Sequence, residues 1–281
     1  MNRLHSISLA LLATAPFTCA CTLVAQQSAY EQFRGHNAAM TSEQPAWMSP
    51  LIEPDARLTQ SVRLSFSNSY TTAGTQTVNY GNFHGLSLIE GDRVQVNLMA
   101  PPYIQNNSAT AKDGFGDPMG EVKFRIGSGD AEHGNYALTG MLAETLPTGS
   151  YTNGAATAVY YPNLAAGKMW GRFDVQTTLG GLMPTGKIAV QGRQIDWNAT
   201  AQVLVGRYLW IDLENNAVYN HGGPFDGRTE NFLTPAAFFV VRRKTWEPTH
   251  CIFIFDAGMQ IATSRFHTYN HNLIPEARIT F

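Results

Sequence analysis

Side chains able to do chemistry are sparse in this 281-residue chain. His267 and His271 stand four apart, a spacing at which two imidazoles could share a zinc or copper ion. A pair without further ligands is a weak metal signal that loop packing explains equally well, so no metal is expected. His84 with Ser87, and Ser264 with His267, are the imidazole–hydroxyl neighbours that acyl transfer would need, together with a group to orient the base. His84 and Ser87 differ in parity and point to opposite faces of any strand that holds both. Ser264 and His267 fall in or near a loop, where parity imposes no veto. No Gly-x-Ser-x-Gly elbow and no phosphate-binding loop appears. The expectation is a protein that is not an enzyme, with no catalytic residue and no cofactor.

The remaining candidates are charges in a regular pattern. Arg63, Asp117, Glu121, Lys123, Arg125, Arg172, Asp174, Asp196, Asp212, Glu214, Asp256, Glu276 and Arg278 fall opposite rows of apolar residues. Val122, Phe124 and Ile126 alternate with Glu121, Lys123 and Arg125. Leu209, Ile211, Leu213 and Ala217 alternate with Asp212, Glu214 and Asn216. A strand turns successive side chains to opposite faces, so each segment has one apolar and one polar side. A soluble sandwich would have to expose the second face. A closed barrel in a membrane gives the apolar face to lipid and the polar face to a lumen, where both signs of charge would line an aqueous path.

Stepping along the chain, the alternation recurs in about twelve segments of the length that crosses a bilayer when tilted. They begin at Ser61 and end on the closing strand His271–Phe281. Phe281, Ile279 and Ala277 share the outward row of that strand and form an assembly signal, with an aromatic ring at the membrane interface. Strand three is expected to end at Pro101-Pro102, since proline cannot donate to a ladder. Gly167-Lys168-Met169 is expected to turn between strands six and seven. In strand ten, Phe238-Phe239-Val240-Val241 is apolar on both faces and leaves its register open. The fold class is all-β, one antiparallel transmembrane barrel of about twelve strands.

Composition agrees with alternation. Charged residues make up 14% of the chain, against about 25% in soluble domains. The mean hydropathy is only −0.17, and beyond the N-terminus no apolar run reaches the ~20 residues of a spanning helix. A net charge of −2 gives no reason for a nucleic-acid partner. Residues 1–25 read as a signal peptide, with Arg3 ahead of the short apolar core Leu9–Ala13. Cleavage after Ala20 instead would leave Cys21 first and give a lipoprotein reading, for which Thr18 is a poor match. With Cys19 and Cys21 in the leader, Cys251 is left alone and no internal disulfide is expected. Residues 26–58, with Pro45, Pro50 and Pro54, read as a periplasmic arm or plug. The loose arm is favoured, with Pro45–Pro50 able to lie on a surface or inside a pore. Residues 59–281 form the barrel.

Several short motifs carry a resemblance. Gly114-Phe115-Gly116-Asp117, Val122-Lys123-Phe124-Arg125, the strand ends Leu146-Pro147-Thr148-Gly149 and Met183-Pro184-Thr185-Gly186, and Phe266–Leu273 are similar to the MetA-pathway-of-phenol-degradation family of bacterial outer-membrane proteins. That resemblance covers Leu58–Phe281. It implies an outer-membrane barrel of transporter or porin type and transfers no catalytic residues. The expected function is passive passage of small molecules, hydrophobic or aromatic ones among them. The expected partners are outer-membrane lipid, the barrel-assembly machinery and a small solute. A structural or adhesion barrel is the alternative, and an outer-membrane lipid hydrolase the second. Deleting Phe281 is expected to impair insertion, read as loss of heat-modifiable mobility on a gel; a deletion variant that inserts like the parent overturns the signal-strand reading.

Overall fold

A computed structural model describes residues 31–81, 84–241 and 251–281; the leader expected at 1–25 lies outside them. Residues 31–42 are helical. Contacts divide the chain between Met40 and Thr41, and the second unit, Thr41–Phe281, contains every strand.

The strands form one antiparallel ring of twelve staves. Strand one is Ser61–Tyr70. Strand two is Gln76–Tyr80 continued by Gly85–Ile89. Strand three is Val94–Met99 continued by Tyr103–Asn107. Strand four is Gly114–Phe115 continued by Met119–Gly129. Strands five to eight are Tyr136–Thr145, Val159–Trp170, Phe173–Pro184 and Arg193–Val205. Strands nine to twelve are Leu209–His221, Thr229–Val241, Ile252–Ala262 and His271–Thr280. Each pairs with its sequence neighbour, and strand one closes the ring on strand twelve from Ser61↔Thr280 to Tyr70↔His271. Closure leaves no unpaired edge, which is what permits a sheet to sit in lipid. No helix among the described residues is long and apolar enough to cross a membrane.

Both faces follow the alternation. In strand ten, Glu230, Phe232, Thr234, Ala236, Phe238 and Val240 are buried, while Leu233, Pro235, Ala237 and Phe239 are exposed. That settles the register of the ambiguous run: Phe238 faces in opposite Asp256, and Phe239 faces out opposite Phe255. Leu64, Leu98, Val122, Leu142, Leu179, Trp197, Leu213 and Phe255 are all exposed on the outer surface. In water, apolar surface repeated around a whole circumference would drive association; in a bilayer it is the solvated face.

Among the described residues, the turns at the end where strand one begins are short, with Gly171 and Gly206 at φ near 63° and 71° in two of them. The turn between strands six and seven falls at Gly171-Arg172, not at 167–169, because Gly167 and Met169 stay paired with Gln176 and Asp174. Strand three does not end at its prolines. It breaks between Met99 and Tyr103 and resumes, and strands two and four break beside it, between Tyr80 and Gly85 and between Phe115 and Met119. Beyond the break, Phe66, Tyr80, Tyr103 and Phe115 form an outward aromatic ladder, with successive ring centroids 6.1, 6.4 and 5.3 Å apart. Thiols from Leu213→Cys and Phe255→Cys, in a Cys251→Ser background, are expected to react with a membrane-soluble maleimide and resist a charged one; equal rates with both reagents in proteoliposomes would refute the outward assignment.

Candidate functional site

The lumen is occupied by a strap. Residues 44–58 form a loop whose neck is closed by one side chain: Gln44 Nε2 donates to Leu58 O at 3.0 Å, and Leu58 N donates to Gln44 Oε1 at 2.7 Å. Pro45, Pro50 and Pro54 deny this segment strand or helix geometry, so its backbone needs partners from elsewhere. The inward charges provide them. Arg278 donates to the carbonyls of Ser49 and Pro50 at 2.8 and 3.0 Å, and Arg63 to that of Leu51. Lys123 donates to the carbonyls of Asp55 and Arg57 at 2.6 and 2.8 Å, and Thr139 to that of Ala56. The Glu214 carboxylate accepts from the amides of Leu51, Ile52 and Glu53. Gln202 Oε1 accepts from Met48 N and Gln176 Nε2 donates to Met48 O, both at 3.2 Å. A hydrogen bond to a charged group contributes about 1.5–3 kcal/mol, more than a neutral one.

The strap also carries its own lock. Asp55 Oδ1 accepts from Trp47 Nε1 at 3.1 Å, Asp55 Oδ2 from Ser49 Oγ, and Arg57 pairs with Asp55 at 3.0 Å. Burial pushes the Asp55 carboxyl up, but the cations of Arg57 and Lys123 outweigh it and hold the group below its ordinary range. Trp47 and Leu51 are 1% exposed and join Met141, Trp210, Phe238, Ile254 and Ile274 in an apolar core inside the ring. Two inward glycines are sockets for them. A Cβ on Gly167 would stand 2.7 Å from Trp47 Cη2, and one on Gly258 would stand 2.5 Å from Leu51 Cδ2. Inward glycine in mid-strand is visible in the sequence, but what approaches it is not.

Most expected lumen residues are thus engaged rather than bathed. Arg63 pairs with Glu276 and Arg278 with Asp256 and Glu276, all beside the strap. Arg125 pairs with Glu43 at 2.9 Å. Glu121 accepts from Asn97, and Asp174 from Gln176 at 3.0 Å. Asp212 is inward and 1% exposed; Asp196 is inward and half-buried toward the opposite end. Two residues differ from expectation. Arg172 lies exposed in its tight turn. Asp117 accepts from the amides of Thr148, Gly149 and Ala155 at 2.9, 2.7 and 2.6 Å, tying the Gly-Phe-Gly-Asp motif to the Leu-Pro-Thr-Gly loop. Gly149 and Gly154 leave room for that carboxylate. Phe281, Ile279 and Ala277 lie at or beside the pairing of strand twelve with strand one, and Phe281 N donates to Gln60 O at 3.3 Å.

The loop histidines have separate surroundings. His267 Nδ1 faces Ser264 O at 2.9 Å and Nε2 faces Asn270 Oδ1 at 3.0 Å, while Ser264 Oγ donates to Phe266 O. The Ser264 hydroxyl and His267 ring therefore do not pair with each other. His271 stacks on Tyr70 with centroids 5.0 Å apart. No group of three metal-binding side chains occurs among the described residues.

A closed twelve-stave ring with a lipid-facing belt and a polar interior has the fold of a bacterial outer-membrane β-barrel. The same fold occurs in an outer membrane channel from Pseudomonas putida F1, at 13% identity and a TM-score of 0.53 over 84% of this chain and 100% of that one. It also occurs in the NanC porin, at 6% identity and a TM-score of 0.50 over 79% and 98%. No protein-family model and no curated protein matches the chain. The sockets predict that Gly167→Val costs the docked strap about 1–3 kcal/mol through overpacking while the ring still forms. A thiol from Met48→Cys should then label faster in the valine variant than in the glycine parent, and equal rates would refute the socket.

Proposed function

We propose that the chain is an outer-membrane channel for passive passage of small solutes, with its own strap as the constriction. The observation that carries this reading is how the lumen is filled. A scaffold barrel can close its interior with its own side chains, as eight-stranded barrels do. Here a covalently tethered segment fills it, held largely by backbone hydrogen bonds that water could replace. The wall at and beyond the strap apex carries a neutral polar row, with the acids Asp196 and Glu230 further out. Thr178, Asn198, Asn216 and Gln260 form a hydrogen-bonded row across strands seven, eight, nine and eleven.

Such a row favours solutes bearing hydroxyl or amide groups. Phenolic solutes, suggested by the MetA-type motifs, would meet it through their hydroxyl, and this chemistry supports hydroxylated aromatics over bare hydrocarbons. Outer-membrane lipid around the belt and the assembly machinery at the closing strand are the proposed partners, and no cofactor is invoked. The engagement of Ser264 and His267 by other groups favours loop packing over lipid hydrolysis.

A structural barrel is the second reading, favoured by the apolar core that Trp47 and Leu51 complete. Planar-bilayer conductance separates the two. Deleting residues 26–58 should raise the current about tenfold or more over the full-length protein, because a filled lumen gives way to an aqueous one. Zero current in both forms would falsify the channel reading and favour the structural one.

A further inference from the structure

The apex of the strap meets strands seven, eight and nine through acids. Glu214 is fully buried and accepts the amides of Leu51, Ile52 and Glu53. Glu53, 3% exposed, turns its own carboxyl to the same wall, where Thr178 Oγ1 lies 3.5 Å from Oε2 and Thr200 also acts on the carboxyl. Asp212 lies on the inward face of strand nine beside Glu214; it is 1% exposed, its carboxyl lies against that of Glu214, and no other donor reaches it. Asp174, on strand seven, is fully buried with Oδ2 unpartnered.

The cations around the strap are committed elsewhere. Arg57 pairs with Asp55 inside the strap. Arg63 of strand one engages Glu276, and Arg278 of strand twelve engages Glu276 and Asp256. Lys123 of strand four spends its donors on strap carbonyls beside Glu121, which is bonded to Asn97. Asp174 also feels Arg57 at the base of the strap, whereas Glu53, Asp212 and Glu214 meet at the apex with no facing cation among the described residues, and three acids so placed cannot all stay ionised in a water-poor interior.

We propose that Glu53, Asp212 and Glu214 form a proton-controlled latch that keeps the strap docked while they share protons and releases it as they ionise. Burial, and then the charge of Glu214, pushes the Glu53 carboxyl up to about 8, with Thr200 and Thr178 pulling the other way. A released strap returns Glu53 to water and to an ordinary value of 4.5. The docked state therefore binds the extra proton between those values. The Glu53 contribution to docking is full below pH 4.5 and is lost as pH rises through about 8. Ionisation also sets Glu53 against Glu214, so repulsion acts on the three amides that Glu214 holds. Asp55 stays charged throughout and keeps the base of the strap tied to Lys123, so release begins at the apex.

The latch matters for permeation only if the channel reading holds, but strap position can be read without current. The full-length protein carrying Cys251→Ser and Ile52→Cys, in proteoliposomes, is labelled with a charged thiol reagent. Rates are normalised at each pH to an exposed reference thiol from Tyr151→Cys, which cancels thiolate chemistry. The normalised rate should rise about tenfold between about pH 5 and about pH 9. Glu53→Gln with Asp212→Asn, which keep shape but cannot ionise, should flatten the rise, with heat-modifiable mobility confirming a folded ring. Glu53→Gln alone, which alters only the strap, should reduce it. A flat profile in the parent, or an undiminished rise in both variants, overturns the latch. A rise without current in parallel bilayer recordings supports the latch and overturns the channel reading.

Discussion

Hydrocarbon offers the backbone nothing to bond with, and that absence governs the whole molecule. Each amide and carbonyl in the lipid zone must find a partner within the chain. The ring meets the demand by pairing every strand with two neighbours and joining strand one to strand twelve. Once the ring is closed, alternation does the rest. One side chain in two goes to lipid, the next goes inward, and the inward set must be reconciled with a confined space.

Charges in a confined space are costly unless something answers them. The answer here is a second stretch of backbone. A segment rich in proline cannot bond to itself, and the inward Arg, Lys and Glu side chains cannot all bond to one another. Arg278, Lys123 and Glu214 supply what residues 49–57 lack, and the strap returns the favour by enclosing them. Carbonyls meet cations along one side of the strap, and amides meet an acid along the other. The apolar contacts of Trp47 and Leu51 fix which stretch occupies which position.

The ring was legible in the sequence because its signal is local. A period of two, repeated with turn residues between, identifies faces without knowledge of neighbours, as at Leu209–Ala217 and Glu121–Ile126. Local signals fail where pairing depends on distant partners. Proline at 101 and 102 looks like an end, but strands two and four break alongside and the stave resumes at Tyr103. Phe238 and Phe239 look alike until Asp256 and Phe255 assign them sides. The strap was hidden for the same reason. Its bonds span more than a hundred residues at Gln176, Gln202, Glu214 and Arg278, and nothing periodic marks Gly167 or Gly258 as receiving a ring or a methyl group. Parity gave the side of Asp212 and Glu214 but not what would lie against them.

The neck formed by Gln44 and Leu58 sits just ahead of strand one, whose far edge is the seam with strand twelve. The strap leaves the ribosome before any stave, yet its binding partners are scattered across staves made much later, the last being strand twelve. It therefore cannot acquire its full set of contacts until the sheet has curled and the seam is near completion. Filling the interior and sealing the wall become a single late event of biogenesis, with a segment made before every stave carried inside by the strand that closes the circle.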